Sequence, residues 1–320
     1  MTTLLNETVA ENPSTPRIRS GLKVWSAAPT PLTSEGTIDV ASLRRSVDHH
    51  VAIGCGAIML GGTCGEGPWL RHSDLEVLVR TGVEQAAGRI NIMVQATDNS
   101  SGLILERLDA LTTWGAQHGV VAQPHFFMNA NPTRLREFYL EIWERSPLPV
   151  IFYDRGQNAN VPVPLEILDD ILHHPRVVGM KDSASHPDRF AISKKVREDR
   201  PEFFILNGNE FQLLPALQAG YDGAFFGGMT LTALAVRRCM DLLAAGDEKA
   251  AVALDEEIQR VLFDVYGGPK ITCWLAGLKY ALVKLGVFTE WKNIPGYSLT
   301  DECRQSIDKA VATVEWLHPK

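Results

Sequence analysis

Eight short apolar runs recur along the chain, each followed by a segment with helical periodicity. They cover residues 22–28, 57–60, 90–94, 119–122, 149–153, 177–180, 203–206 and 223–226. Between them lie helix-compatible stretches at 39–52, 73–87, 100–117, 132–146, 164–173, 187–198 and 210–219. Runs this continuous suit strands buried on both faces, and such strands separated by helices predict a parallel sheet. Eight strand–helix units are the number that closes a ring, so the pattern predicts a (β/α)8 TIM barrel in the α/β class. A doubly wound open sheet shares the alternation, but the first strand–helix junction carries no G-x-G-x-x-G fingerprint.

Helical periodicity continues at 233–243, 248–266, 271–285 and 301–316, which predicts the last barrel helix and a C-terminal helical extension. The expected organisation is a flexible N-terminal arm at 1–20, the barrel at 21–245 and a helical layer at 246–320. The arm is polar, with Pro13 and Pro16, and lacks the apolar segment of a signal peptide; Glu7 and Glu11 argue against an acid-poor transit peptide. The chain's 320 residues, 45% hydrophobic and 22% charged, suffice for one large barrel with an extension. Its 31 basic and 38 acidic residues give 31 − 38 = −7, with a pI near 5.7, and no basic stripe stands out. That argues against a nucleic-acid partner, which would require one. The most apolar stretch, 51–62, is shorter than the roughly 20 residues that cross a bilayer, so no membrane partner is expected. Five cysteines in no C-x-x-C pair support neither a disulfide framework nor a zinc ribbon, and a reducing, cytoplasmic setting is expected.

In a barrel, side chains at the C-terminal ends of the strands converge on one mouth. The sixth run leads into Lys181, where partial desolvation favours the neutral amine that attacks a ketone to form a Schiff base. The alternative is a lysine that pairs with Asp182 or reaches solvent. The fifth run ends at Tyr153, either a proton relay at the same mouth or a core aromatic. After the second run, Gly61-Gly62-Thr63-Cys64-Gly65-Glu66-Gly67 forms a glycine-dense turn whose backbone N–H groups can cradle a carboxylate. The nine histidines show no H-x-H or H-E-x-x-H spacing, so no metal is expected, and His173 and His174 read as surface residues at a helix end.

Taken together and in order, these motifs resemble the dihydrodipicolinate synthase and N-acetylneuraminate lyase superfamily of Schiff-base enzymes. Ala28-Pro29-Thr30-Pro31-Leu32 is similar to the family's strand-one TPF segment, with Gly36, Ile38 and Asp39 matching the turn into the first helix. Gly62-Thr63-Cys64-Gly65-Glu66 is similar to its GTTGE loop, Ile151-Phe152-Tyr153-Asp154 to its YN segment, and Val178-Gly179-Met180-Lys181-Asp182 to its GIK(E/D) strand. The resemblance implies that Lys181 forms an imine with pyruvate or another 2-oxo acid and that Tyr153 is the general acid/base. Thr63 and Cys64 would hold the C1 carboxylate, and Gly62 and Phe225 complete the candidate substrate-binding set. No cofactor is implied, the partner is a small-molecule 2-oxo acid, and a homotetramer is the expected assembly.

Three positions depart from the synthase pattern. Cys64 replaces the second hydroxyl of the GTTGE loop, Phe126 occupies the slot of a tyrosine contributed by a neighbouring subunit, and Asn158 stands where an arginine binds the second substrate's carboxylate. Arg155 lies three residues before that slot. The stretch Tyr153-Asp154-Arg155-Gly156-Gln157-Asn158-Ala159 instead resembles, with one residue extra, the YNRDNA stretch of 5-dehydro-4-deoxyglucarate dehydratases. A lyase that dehydrates or cleaves a sugar-acid 2-keto-3-deoxy substrate is therefore the leading expectation, with Asn158, Asn160, Asn207 and Asn209 as partners for hydroxyls or as ordinary loop formers. The alternatives are a pyruvate aldolase for an aromatic or aliphatic partner and dihydrodipicolinate synthase itself. A catalytically silent binding barrel is opposed by the presence of Lys181 and Tyr153, and a metal- or phosphate-dependent barrel by the lack of a ligand cluster.

Overall fold

The computed structural model describes residues 21–319; the arm expected at 1–20 lies outside the described residues. Eight strands close into a parallel barrel in sequence order. They are β1 (Lys23–Ala27), β2 (Ala57–Leu60), β3 (Asn91–Gln95), β4 (His118–Ala122), β5 (Val150–Asp154), β6 (Val177–Asp182), β7 (Phe204–Asn207) and β8 (Gly223–Phe226). The connecting helices are α1 (Val40–Ala52), α2 (His72–Ala86), α3 (Ser101–Trp114), α4 (Pro132–Arg145), α5 (Leu165–His173), α6 (Pro187–Asp199) and α7 (Leu213–Ala219). After β8 come α8 (Met229–Ala244), α9 (Glu248–Tyr266), α10 (Trp274–Lys284) and α11 (Asp301–Thr313). The protein is thus a (β/α)8 barrel with a C-terminal helical part, and the open-sheet alternative falls away. None of the described helices is long and apolar enough to cross a membrane.

Helix starts are set by side chains that accept the first free amides. Asp39 accepts from Ser42 N, Ser100 from Leu103 N, Asn131 from Arg134 N, Asp247 from Ala250 N and Thr300 from Cys303 N. The helix expected at 210–219 begins later: a 3₁₀ turn at Glu210–Gln212, capped by Asn209, precedes α7. That offset leaves Glu210 over the barrel mouth rather than on a helix face.

Alternation along the strands separates two cores. Ala27, Ala57, Met59, Met93, Val120, Ala122, Ile151, Tyr153, Leu206 and Phe225 pack inside the ring with Trp25, Val178 and Phe204. The opposite faces, including Val24, Phe152, Met180 and Phe226, pack under the helices. The barrel is therefore a filled core rather than a pore. On the outer face of β1, Ser26 Oγ lies 2.9 Å from His50 Nε2, and His50 Nδ1 lies 2.7 Å from the Ser46 carbonyl.

His50 is fully buried, and burial, with the neighbouring His49, pushes it down to about 3. An unfolded chain would protonate this ring near pH 6.5, whereas the folded chain does not until far lower. Stability is therefore flat in this group above about pH 6.5 and falls by on the order of 1.4 kcal/mol per pH unit as the pH drops toward 3. Urea midpoints measured from pH 7.5 to 4.5 should show this slope, and His50→Gln should flatten it. An unchanged slope in that variant would assign the acid sensitivity to other groups.

Candidate active site

The C-terminal ends of β5 and β6 bring the two predicted residues together. Tyr153 and Lys181 are register partners across the two strands, followed by Asp154 and Asp182. Lys181 thus lies within β6, not just after it, because the ladder runs two residues beyond the apolar run. Its Nζ sits 4.2 Å from the Tyr153 ring centroid and 4.7 Å from that of Phe225. Lys181 is 4% exposed and Tyr153 7%, so the amine lies among ring faces under the mouth.

Asp182 is not its partner. Its carboxylate faces away, accepting from Tyr221 Oη at 2.6 Å and from the Ala184 and Ser185 amides. Burial, with Asp154 nearby, holds the Asp182 carboxyl above its ordinary range. Asp154 accepts from Arg189 Nε at 2.5 Å, Gln123 Nε2 at 2.7 Å and Gly156 N at 2.9 Å. The two carboxylates thus anchor the strand ends from outside the ring, while Tyr153 and Lys181 project inside.

Burial alone would raise the Tyr153 phenol, but the charges of Lys181 and Arg155 and hydrogen bonding from Ser183 and Thr63 outweigh it and hold it below the usual phenol range. Thr63 thereby joins the turn after β2 to the Tyr153–Lys181 pair. The turn is shaped by close backbone approach: a Cβ on Gly65 would meet the Gly61 and Gly62 amides at 2.9 Å, and one on Gly67 would overlap the Gly61 carbonyl. Thr30 Oγ1 donates to the Gly65 carbonyl at 2.5 Å, fixing the turn from β1. Gly62 packs over Met59 and faces Gln95, whose Oε1 is buried without a partner. Cys64 is buried beside Gly227, and burial, with Glu210 next, pushes its thiol up, so it stays protonated and a weak donor.

Sequence reasoning gave no role to three groups at the site. Glu66, in the left-handed region at φ 60° and fully buried, accepts from Lys279 Nζ of α10 and from Ile294 N. Glu210 accepts from Gly228 N at 2.7 Å and from Tyr266 Oη at 3.0 Å, and it lies near enough to feel Lys181. Burial keeps its carboxyl above the usual range against those pulls. Arg155 sits half-buried at the mouth. The advance signals were the last residue of the GTTGE-like loop and the place of Arg155 three residues before the arginine slot; the partners of Glu66 and Glu210 lie on segments distant in sequence.

The four asparagines suggested for hydroxyl-rich substrates are largely engaged in loop geometry. Asn207 bonds Asn209 and Gln212, Asn209 caps the 3₁₀ turn and reaches Ser185, and Asn160 donates to the His125 carbonyl at 3.2 Å. Asn158 is exposed, as is Phe126, at 64%. Among the described residues, no group of three or more His, Cys, Asp or Glu side chains is placed to hold a metal ion.

A family model described as the dihydrodipicolinate synthetase family matches residues 21–314. A 4-hydroxy-tetrahydrodipicolinate synthase of Xanthomonas campestris is 28% identical over 235 residues, 73% of this chain and 77% of that protein. One from Gluconobacter oxydans is 27% identical over 298 residues, covering 90% of this chain and 95% of its own. Among solved structures, dihydrodipicolinate synthase from Bacteroides thetaiotaomicron superposes with a TM-score of 0.82 at 25% identity, over 92% of this chain and 98% of that one. CdNal from Clostridium difficile, solved with mannosamine, shares the fold with a TM-score of 0.80 at 18% identity, over 92% and 99% of the two chains.

Proposed function

The chain belongs to the dihydrodipicolinate synthetase family of class I aldolase-type lyases, and from that membership we propose that it forms an imine between Lys181 and a 2-oxo acid such as pyruvate and makes or breaks a carbon–carbon bond at the adjacent carbon. The observation that carries this is the pairing of Lys181 with Tyr153 across β5 and β6, 4.2 Å apart and buried. The amine adds to the keto carbon, and the carbonyl oxygen takes protons relayed through Tyr153 and leaves as water. The protonated imine nitrogen then accepts the electron pair released when a proton or carbon fragment departs from the next carbon. The turn at Gly62, Thr63 and Cys64 holds the C1 carboxylate, and Phe225 packs beneath the amine.

The synthase reaction named for the relatives is the better-supported choice of substrate. The sugar-acid reading loses one of its supports because Asn160, Asn207 and Asn209 serve the loops. What still favours it is the exposed Phe126 in place of a relay tyrosine, the thiol at Cys64, Asn158 in the arginine slot and the dehydratase-like stretch at 153–159. The same membership supports a homo-oligomer, a tetramer by family likeness; Trp69, Leu103, Phe126 and Met128, exposed on segments that follow β2, β3 and β4, would give it apolar surface to bury.

One preparation should be assayed for pyruvate loss that depends on aspartate semialdehyde, the synthase's second substrate, and for conversion of a 2-keto-3-deoxy acid panel, with Tyr153→Phe alongside. Semialdehyde-dependent turnover is expected, and the variant should lose about 10²-fold or more in kcat, the usual scale for a positioned acid/base. Turnover confined to the deoxy-sugar acids would restore the sugar-acid reading. A Tyr153→Phe enzyme with normal kcat would return Tyr153 to a packing role.

A further inference from the structure

The guanidinium of Arg155 is a mouth-facing cation with no hydrogen-bond or ion-pair partner among the described residues. Along β5, Ile151 and Tyr153 point into the ring, and Arg155 continues that parity one step past the strand. Its backbone is held by a buried network: Arg155 N donates to Gln123 Oε1 at 3.1 Å, Gln123 donates to Asp154, and Asp154 is paired to Arg189 with both side chains at most 5% exposed. Gly156 follows at φ 53°, and a Cβ there would meet Ala184 at 2.5 Å, so the chain turns away at once and leaves Arg155 at the rim. The side chain itself makes no hydrogen bond and no ion pair among the described residues. Comparable arginines are satisfied: Arg107 by Asp98 at 3.1 Å, Arg197 by Asp222 at 2.9 Å.

His125, from the loop after β4, stands beside it. Asn160 ties the two loops by donating to the His125 carbonyl, and His125 Nε2 is buried without a hydrogen-bond partner among the described residues. The Arg155 charge is felt at both neighbours, pushing down the His125 ring after the larger effect of burial and helping to hold down the Tyr153 phenol. The carboxylates in range are committed elsewhere: Asp98 to Arg107, Glu210 to Gly228 and Tyr266.

We propose that Arg155, with His125 beside it, is the docking point for a second carboxylate, at the far end of the molecule that reacts at Lys181. This rests on Lys181 forming the imine, and it makes the species carried on Lys181, whether a single diacid or the adduct of pyruvate with a second acid, one with two anionic ends. A guanidinium fork fits a planar carboxylate with two parallel hydrogen bonds, and a half-buried one lacking any internal partner has that capacity free. Asn158 therefore does not leave the mouth without a countercharge; Arg155 supplies it from a different position.

The test compares borohydride trapping on Lys181 by 2-oxoglutarate and 2-oxoadipate with that by the matched monoacids 2-oxopentanoate and 2-oxohexanoate, with pyruvate as reference. Each half-saturating concentration is read by mass addition to the Lys181 peptide. In the unaltered protein the better diacid should trap at a concentration about 10-fold or more below its monoacid, the scale of a charge-assisted hydrogen bond. In Arg155→Gln that ratio should fall to about one with the monoacids still trapped, and Arg155→Lys should keep part of it. A missing diacid preference, or one that survives Arg155→Gln, overturns the proposal while leaving the imine intact. Failure of every acid, pyruvate included, to label Lys181 removes the imine reading and this inference with it.

Discussion

A Lys181→Ala variant should take up no mass from borohydride with any 2-oxo acid, and its turnover should fall by about 10⁴-fold or more, since the group proposed to carry the imine is gone. The geometry separates this effect from a folding defect. Lys181 makes no ion pair or hydrogen bond that the fold relies on among the described residues; its Nζ faces the rings of Tyr153 and Phe225. Truncation leaves β6 paired to β5 and β7 through backbone bonds, with Asp182 still anchored by Tyr221. The melting transition should therefore stay cooperative while chemistry disappears. Trapping on another lysine, or measurable turnover in the variant, would place the nucleophile elsewhere.

The barrel could be read in advance because its strands are buried on both faces, so hydrophobicity alone marks them. Ala57–Leu60 and Gly223–Phe226 are entirely apolar or glycine, and they end where the apolar run ends. β6 shows the limit of that signal. Lys181 and Asp182 remain in the ladder opposite Tyr153 and Asp154, but a polar pair reads as the close of a strand until its partners are known. The same limit hid the groups around the site. Nothing in the local sequence says that Arg155 lacks a partner while Arg189 has one, since that follows from Asp154 giving its carboxylate to Arg189, Gln123 and Gly156. Asn207 and Asn209 were ambiguous between substrate contacts and loop bonds, and only the positions of the Gln212 carbonyl and the Phe211 amide decide for the loop.

The C-terminal helices should prove to position the turn after β2 through one buried pair. Lys279 on α10 and Glu66 in the turn after β2 are both fully buried, and they are joined across 213 positions of sequence. Burial pulls the lysine below its usual range, with Glu66 opposing, and its Nζ also donates to the Lys292 carbonyl at 2.6 Å. Glu66 closes the turn that carries Thr63 and Cys64, and its second oxygen accepts from Ile294 N at 2.5 Å. Removing one member leaves the other charged and dry, a change that costs about 3–5 kcal/mol, whereas replacing both by neutral groups of similar shape costs far less. Lys279→Met and Glu66→Gln should therefore each lower the urea midpoint strongly, and the double variant should recover part of the loss. Because Glu66 also sets the turn, the double variant, though refolded, should still bind 2-oxo acids more weakly, raising the half-saturating pyruvate concentration in borohydride trapping. Singles that melt like the parent would show that the pair is solvated in solution. A double variant with parental pyruvate trapping would show that the turn holds its shape through Thr30 and the glycine contacts alone.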